Sequence, residues 1–245
     1  MYVSKIDELV TRFISAKSEG ADSEQLNTIA EELQKYNQRS YGEQTSFVLR
    51  RLKVSDFEME KWTRLRSYVA PDKNVKLFDC AFGSGRDLFI AQKLGYDVYG
   101  CELSEFLYSD FLACTNFEHA KLVNADFRSL PYPDDTFDVV RHNASFLHMP
   151  VIGKGYTVHQ CLEESCRILK EGGYLYVYTK EGVGFVTIDT GDGLGSRSFQ
   201  LYDERLLTEI LLDCGFAVKS INHYLRERNG TIIKWIEAFA QKESK

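Results

Sequence analysis

The stretch Val75-Lys76-Leu77-Phe78-Asp79-Cys80-Ala81-Phe82-Gly83-Ser84-Gly85-Arg86-Asp87-Leu88 decides the fold. A short apolar run ends in an acid, passes through a turn of small residues and opens into an amphipathic helix. Gly83 and Gly85 carry no Cβ, so backbone amides can approach a ligand closely there. The helix that follows directs its first N–H groups at the same place. A second acid, Glu102, closes the next strand pattern, Asp97-Val98-Tyr99-Gly100-Cys101-Glu102. Two strands ending in acids, with a glycine turn between them, describe a nucleoside-cofactor site on a doubly wound sheet.

A dinucleotide site uses G-x-G-x-x-G, whose third glycine permits tight helix–strand packing. Here Gly83-Ser84-Gly85 is followed by Arg86, Asp87 and Leu88, so that glycine is absent. Asp79 would also lie against a pyrophosphate, which is electrostatically unfavourable. An acid beside the loop suits a cationic ligand without phosphate. S-adenosylmethionine (SAM), with its sulfonium and ammonium, is such a ligand. The stretch resembles the first motif, acid-x-Gly-x-Gly-x-Gly, of the class I SAM-dependent methyltransferases. Ala81 stands at the first glycine position, which requires that this backbone keep φ negative.

The resemblance continues in order. Glu102 matches the family's ribose-binding acid, with Leu103 beside it. In Lys121-Leu122-Val123-Asn124-Ala125-Asp126-Phe127, Asp126 matches the acid that holds the adenine amino group, and Phe127 the residue beside the base. Asp134-Asp135-Thr136-Phe137-Asp138-Val139-Val140-Arg141-His142-Asn143 resembles the fourth strand, and Asn143 is the expected neighbour of the methionine moiety. The resemblance thus implies a cofactor set of Asp79, Ala81, Gly83, Gly85, Glu102, Leu103, Asp126, Phe127 and Asn143. SAM is the implied cofactor and S-adenosylhomocysteine (SAH) the product.

A bacterial small-molecule branch of this class is closer still. Its signatures are matched by Gly83-Ser84-Gly85-Arg86-Asp87, by Ala144-Ser145-Phe146-Leu147-His148-Met149-Pro150, by Lys180-Glu181-Gly182-Val183-Gly184 and by Arg197-Ser198-Phe199-Gln200-Leu201-Tyr202. Arg141 and His142 depart from the branch's pattern and leave its substrate preference open. His142, inside a strand, reads as a satisfied core group. His148 follows the fourth strand and is the candidate catalytic base, since its ordinary pKa suits proton acceptance; substrate contact and a structural role stay open. Residues 181–202 hold five glycines and read as a mobile lid, with Lys180, Glu181, Arg197 and Tyr202 as candidate substrate contacts. Tyr36 and Tyr41 are candidates to cover the cofactor.

Two regions follow along the chain. Residues 1–70 read as a helical N-terminal accessory segment, with Ser23 capping a second helix and a third helix spanning 46–69. Residues 71–245 alternate strand and helix and form the methyltransferase domain. The expected fold is α/β: a Rossmann-like, seven-stranded, mostly parallel sheet with helices on both faces and one antiparallel strand near its edge. Strands are expected near 75–80, 97–102, 119–123, 137–142, 173–179, 217–223 and 231–240. Helices are expected near 86–94, 104–114, 156–169 and 203–213.

Acids outnumber bases by 36 to 30, giving a net charge of −6, which argues against nucleic acid as a partner. No apolar run is long enough for a membrane span or signal peptide, so the cytoplasm is the expected location. The six cysteines show no C-x-x-C, and no metal site is expected. The reading is a SAM-dependent methyltransferase acting on an O or N nucleophile of a small-molecule acceptor. Two alternatives stand beside it: a protein or RNA methyltransferase that docks its acceptor on the N-terminal helices, and a non-catalytic SAM-binding sensor or partner subunit. The same helices are a candidate homodimer surface.

Overall fold

Alternation within the apolar runs builds two cores at once. Successive strand residues point to opposite faces, so Leu77, Val139 and Tyr176 enter one core while Phe78, Val140 and Val177 enter the other. The computed structural model describes residues 5–42, 54–189, 196–228 and 230–244. Its main sheet contains β1 (Lys76–Cys80), β2 (Asp97–Glu102), β3 (Leu122–Asn124), β4 (Phe137–Asn143), β5 (Leu169–Lys180), β8 (Phe216–Arg228) and β9 (Thr231–Lys242). The order is β3-β2-β1-β4-β5-β9-β8, parallel throughout except for β9, which runs antiparallel to both neighbours. This is a seven-stranded, mostly parallel Rossmann-like sheet. The strand order reverses between β1 and β4, and ligands in such sheets bind beyond the carboxyl ends at that point.

Helices cover both faces. α4 (Arg86–Leu94) and α5 (Glu105–Cys114) pack on one face, through Leu88, Ala91, Leu107 and Phe111. α6 (Val158–Ile168) and α7 (Glu204–Asp213) pack on the other, through Val158, Leu162, Leu207 and Ile210. Local signals set the ends. Ser104 and Asp203 accept N-terminal amides of α5 and α7, and Gly95 in the left-handed region closes α4. No helix among the described residues is long and apolar enough to cross a membrane.

The N-terminal helices are not equivalent. α3 (Asp56–Tyr68) drives Trp62 and Leu65 into the second core, against Tyr176 and Phe239. Arg64 ties it to buried Glu237 on β9 through two hydrogen bonds, of 2.8 and 3.1 Å. α1 (Lys5–Ser18) and α2 (Ser23–Gly42) instead form a small third core from Leu9, Val10, Phe13, Leu26, Ile29 and Leu33. Phe185 joins that core from a two-stranded hairpin of β6 (Gly184–Asp189) and β7 (Ser196–Leu201), its ring 5.5 Å from Phe13.

Several details differ from the sequence-based expectation. Asp22, not Ser23, caps α2: its side chain accepts the Gln25 N–H while the Gln25 side chain accepts the Asp22 N–H. α3 begins after Ser55, whose hydroxyl accepts the Glu58 N–H, and residues 46–53 lie outside the described residues. The expected lid is largely the ordered β6–β7 hairpin; Gly191, Gly193 and Gly195 lie outside the described residues. β5 begins at Leu169, before Gly172 and Gly173: Leu169 pairs with Phe137 and pairing with β4 resumes at Tyr174, so the glycines sit in the irregularity between them.

Candidate active site

A cavity of about 300 Å3 opens beyond the carboxyl ends of β1, β2 and β4. Asp79, Ala81, Gly83, Glu102, Leu103, Phe127, Asn143 and His148 all line it. Most of the candidates that sequence reasoning separated are therefore neighbours in space. Gln34 of α2 closes one side, a contact no motif pointed to.

The loop after β1 is the tightest part. The Phe82 N–H donates to the Cys101 carbonyl at 3.0 Å, and the Gly85 N–H to the Phe82 carbonyl at 2.8 Å. This closure forces Ala81 to φ 57°, against the expectation of a negative value. Alanine can occupy this small left-handed region, at a cost. Ala81→Gly is therefore expected to stabilise the fold by up to about 1 kcal/mol, since relief of the left-handed penalty exceeds glycine's entropy cost. Thermal unfolding would read this as a Tm rise of about 2–4 °C; an unchanged or lower Tm would mean the loop carries no such strain. Gly85 serves packing rather than the cavity, because an added Cβ would lie 1.9 Å from the Phe111 ring.

Glu102 is buried and lines the cavity. Its Oε2 accepts the Gly83 N–H and its Oε1 the Ser104 N–H, both at 2.9 Å. Burial pushes its pKa above the usual carboxylate range, and the backbone donors oppose that only partly. The Leu103 N–H is a third backbone donor to this carboxylate, which still leaves acceptor capacity for a ligand hydroxyl.

The floor is a buried charge cluster. Arg141 Nη1 lies 3.2 Å from Asp79 Oδ1 and 3.1 Å from Asp87 Oδ2. Its guanidinium packs against the rings of Trp62 and Tyr176. Burial pushes Asp79 up to about 7 despite Arg141. Burial also acts on Asp87, but Arg141, Arg86 and Lys61 together outweigh it and hold that carboxyl below its usual range. Asn143 bridges the cluster to α3, donating to Asp87 Oδ2 at 2.8 Å and accepting from Lys61 Nζ at 3.1 Å. Sequence reasoning missed the roles of Arg141, Asp87 and Lys61. The charge of Arg141 within an otherwise apolar strand was the available signal.

Asp126 does not line the cavity. Its oxygens accept three side-chain hydrogen bonds from Arg128, between 2.7 and 3.1 Å, and one from Gln34 at 3.3 Å. Burial acts against ionisation there, but those donors hold its pKa down. Phe127 does line the cavity, edge-on to His142. His142 is fully buried between the hydroxyls of Ser145 and Ser165, and burial pushes its pKa down to about 3.

His148 ends a single helical turn, Phe146–His148, after β4. Its Nδ1 lies 2.8 Å from the Ser198 carbonyl on β7. A carbonyl only accepts, so Nδ1 carries the proton and Nε2 is the ring's acceptor. Burial holds the pKa down to about 4; the Ser198 carbonyl raises it, and the charges of Arg197 and Lys180 lower it further.

His148 also lines a second cavity, of about 430 Å3, that shares Arg86, Asn143 and Ala144 with the first. Lys180 and Arg197 line it. Glu181 and Tyr202 line neither cavity: Glu181 pairs with His223 at 3.1 Å, and Tyr202 is fully buried in the core against Phe146. Tyr202 is therefore corrected from a substrate contact to a packing residue. The side chains of Tyr36 and Tyr41 lie outside the described residues.

The first cavity fits SAM by its charges. Among the described residues, the carboxyls of Asp79, Asp87 and Glu102 line it with the one guanidinium of Arg86, and Arg141 lies behind the two aspartates. That balance favours a cationic nucleoside over a pyrophosphate. Such a site on this sheet defines a nucleoside-cofactor domain of the SAM-binding kind. Comparison with known proteins agrees: residues 78–177 match the family described as a methyltransferase domain. Over that stretch, less than half of the chain, the sheet core is similar to a methyltransferase domain.

A curated relative, the sarcosine/dimethylglycine N-methyltransferase of Halorhodospira halochloris, is 30% identical over 120 residues. That match spans 47% of this chain and only 40% of the relative's length. Among solved structures, a SAM-dependent methyltransferase from Methanosarcina mazei superposes with a TM-score of 0.62 at 20% identity, covering 74% of this chain and 98% of the other. The [4+2]-cyclase SpnF superposes with a TM-score of 0.60 at 19% identity, covering 77% and 82%. At these identities the structural likeness concerns the fold.

Proposed function

We propose that the chain transfers a methyl group from SAM to an O or N nucleophile of a small-molecule acceptor. The observation that carries this reading is the shared wall: a cofactor-sized cavity and a second cavity meet at Asn143, Ala144 and His148. SAM supplies an electrophilic methyl on a good leaving group. The protein has to position the nucleophile and exclude water, and positioning is worth roughly 7–11 kcal/mol.

The residues divide this work. Glu102 would hold the ribose hydroxyls, and Asp79 and Asp87 would balance the positive charge of the methionine end. α2 and the β6–β7 hairpin screen the site from solvent. His148 would accept the acceptor's proton at Nε2. Its low pKa keeps the ring neutral at pH 7. A weak base is adequate here, because the attacking O–H or N–H becomes strongly acidic as the methyl bond forms. The N-methyltransferase activity named for the curated relative supports a nitrogen nucleophile among the options.

The SpnF fold neighbour, named as a cyclase, makes methyl transfer the point to test rather than to assume. The experiment is calorimetric titration with SAM, SAH and NAD, followed by transfer of labelled methyl from SAM across a metabolite panel. Binding of SAM and SAH but not NAD, with label transfer, is expected. Tight SAM binding with no transfer to any acceptor would favour a sensor. His148→Ala is expected to lower turnover about 100-fold or more while leaving SAM affinity unchanged; equal turnover would remove His148 as the base.

A further inference from the structure

Four strand ends lie in a row beneath the first cavity. The sheet order β3-β2-β1-β4 and the parallel pairing bring their carboxyl ends to one edge. Neighbouring strands are about 4.8 Å apart, so the row spans about 14 Å. The wall changes character along it. Asp79 and Asn143, with Asp87 on the first turn of α4, stand at the β1–β4 end. Glu102 closes β2. Beyond it, toward β3, Leu103, Leu107 and Phe127 bring apolar surface into the wall, and Gln34 of α2 completes it. An extended ligand with a cationic amino-acid end, a ribose and a flat base matches this row in one direction. Its cation belongs by the two aspartates, its hydroxyls by Glu102, and its base among the apolar side chains near β3.

The polar edge of that base then meets either Asp126 or Gln34. Asp126 is saturated. Its Oδ1 accepts the Arg128 backbone N–H at 2.9 Å and Arg128 Nε at 3.1 Å. Its Oδ2 accepts Arg128 Nε at 3.0 Å, Arg128 Nη2 at 2.7 Å and Gln34 Nε2 at 3.3 Å. A carboxylate offers about four lone-pair sites, and these donors fill them. The same contact fixes the amide of Gln34. An ionised carboxylate only accepts, so the NH2 group of Gln34 faces Asp126 and its carbonyl oxygen, Oε1, faces away. Gln34 lines the cavity and Asp126 does not.

We infer that Gln34 reads the 6-amino group of the cofactor's adenine, accepting one of its N–H donors at Oε1, in the role that the sequence motif implies for Asp126. Asp126 and Arg128 stand behind it and hold the amide in the right sense. A donor on the base meets an acceptor on the protein, whereas a 6-oxo purine would set two carbonyl oxygens against each other. The contact also gives α1 and α2 a part in cofactor specificity. Outside the cavity wall, Lys17 Nζ donates to the Val151 carbonyl at 2.9 Å and Phe13 packs on Phe185, which anchor the helix pair. Through Gln34 the pair reaches the base. The inference rests on the reading of the first cavity as a SAM site.

The test is calorimetry on the full chain with two ligands: SAH, and its analogue with hydrogen in place of the 6-amino group. The analogue keeps the ring nitrogens, the ribose and the amino-acid end, so only the donor group is lost. The parent should bind SAH about tenfold more tightly than the analogue, as expected for one hydrogen bond to an otherwise unpaired group. Gln34→Met keeps the length and helix propensity of the side chain and removes its acceptor. Gln34 is partly exposed, so the substitution leaves the α1–α2 core in place. The variant should bind SAH about tenfold more weakly than the parent and bind the two ligands alike. A variant that keeps the parent's preference would overturn the inference, because Gln34 then only packs. A parent without a preference would overturn it as well. In both cases SAH binding keeps the cofactor reading. If the parent binds neither ligand, the cofactor reading and the inference fall together.

Discussion

Arg141→Met is expected to destabilise the fold by about 3–5 kcal/mol, the usual cost of stranding buried charge. Arg141 is 1% exposed and is shared between Asp79 and Asp87, themselves almost fully buried. Methionine fills much of the space between Trp62 and Tyr176 but supplies no charge. Asp87 keeps Arg86, the Asn143 amide and, at 3.4 Å, the Trp62 indole N–H as partners. Asp79 has no such set, and burial already pushes it up to about 7. In the variant it should take up a proton. An acid whose folded pKa lies above its unfolded value is stabilised by protonation in the folded state. The deficit should therefore be largest at or above neutral pH and shrink as pH falls toward the unfolded value.

Urea unfolding of both proteins at pH 7.5 and at pH 5.5 checks this. Adding Asp79→Asn to Arg141→Met should recover part of the loss at pH 7.5, because it removes the stranded charge rather than the pair's attraction. A single variant within about 1 kcal/mol of the parent at both pH values would show that the cluster contributes little, as exposed ion pairs do.

What the sequence disclosed and what it withheld separate along one physical line. Strands β1, β2, β4 and β5 are buried on both faces, so each is an apolar run with clear punctuation, readable without its neighbours. The acids of the cofactor site sit at strand ends, a few residues from their glycines, so local order reveals them. The β6–β7 hairpin is obscured in the sequence because Gly182, Gly184 and the glycines beyond read as mobility. The real signal was Phe185 and Phe199, one apolar side chain on each strand, which join the hairpin to α1 and to His148.

The charged floor was unreadable for a different reason. Arg141 and Asp79 are 62 positions apart, and a lone charge in an apolar strand does not name its counter-ion. The conformation of Ala81 was also out of reach. Residue type favours negative φ, but the hydrogen bond from Phe82 to Cys101 on the neighbouring strand decides otherwise. The second cavity combines both difficulties, since α3 contributes three of its side chains and β5, β7, β8 and β9 two each.

Glu102→Ala is expected to weaken both SAM and SAH by about 10–100-fold, the worth of hydrogen bonds to a buried charged acceptor. The substitution has a second consequence. The Gly83 and Ser104 N–H groups lose their acceptor, so the loop after β1 relaxes and the melting temperature falls. A loss of affinity alone would not distinguish a ribose contact from a distorted loop. The distinguishing measurement compares SAH with its 2′,3′-dideoxy analogue on both proteins. If Glu102 receives the ribose hydroxyls, the parent should prefer SAH by at least roughly tenfold, and the variant should bind the two alike. A variant that is weaker yet keeps the parent's preference has only a distorted loop, and the hydroxyls are read elsewhere. A variant with unchanged SAH affinity would remove Glu102 from the cofactor site altogether. Only loss of both the affinity and the preference assigns the ribose to this carboxylate, because the two effects act on different atoms: one on the backbone donors that Glu102 already holds, the other on the lone pairs it keeps facing the cavity.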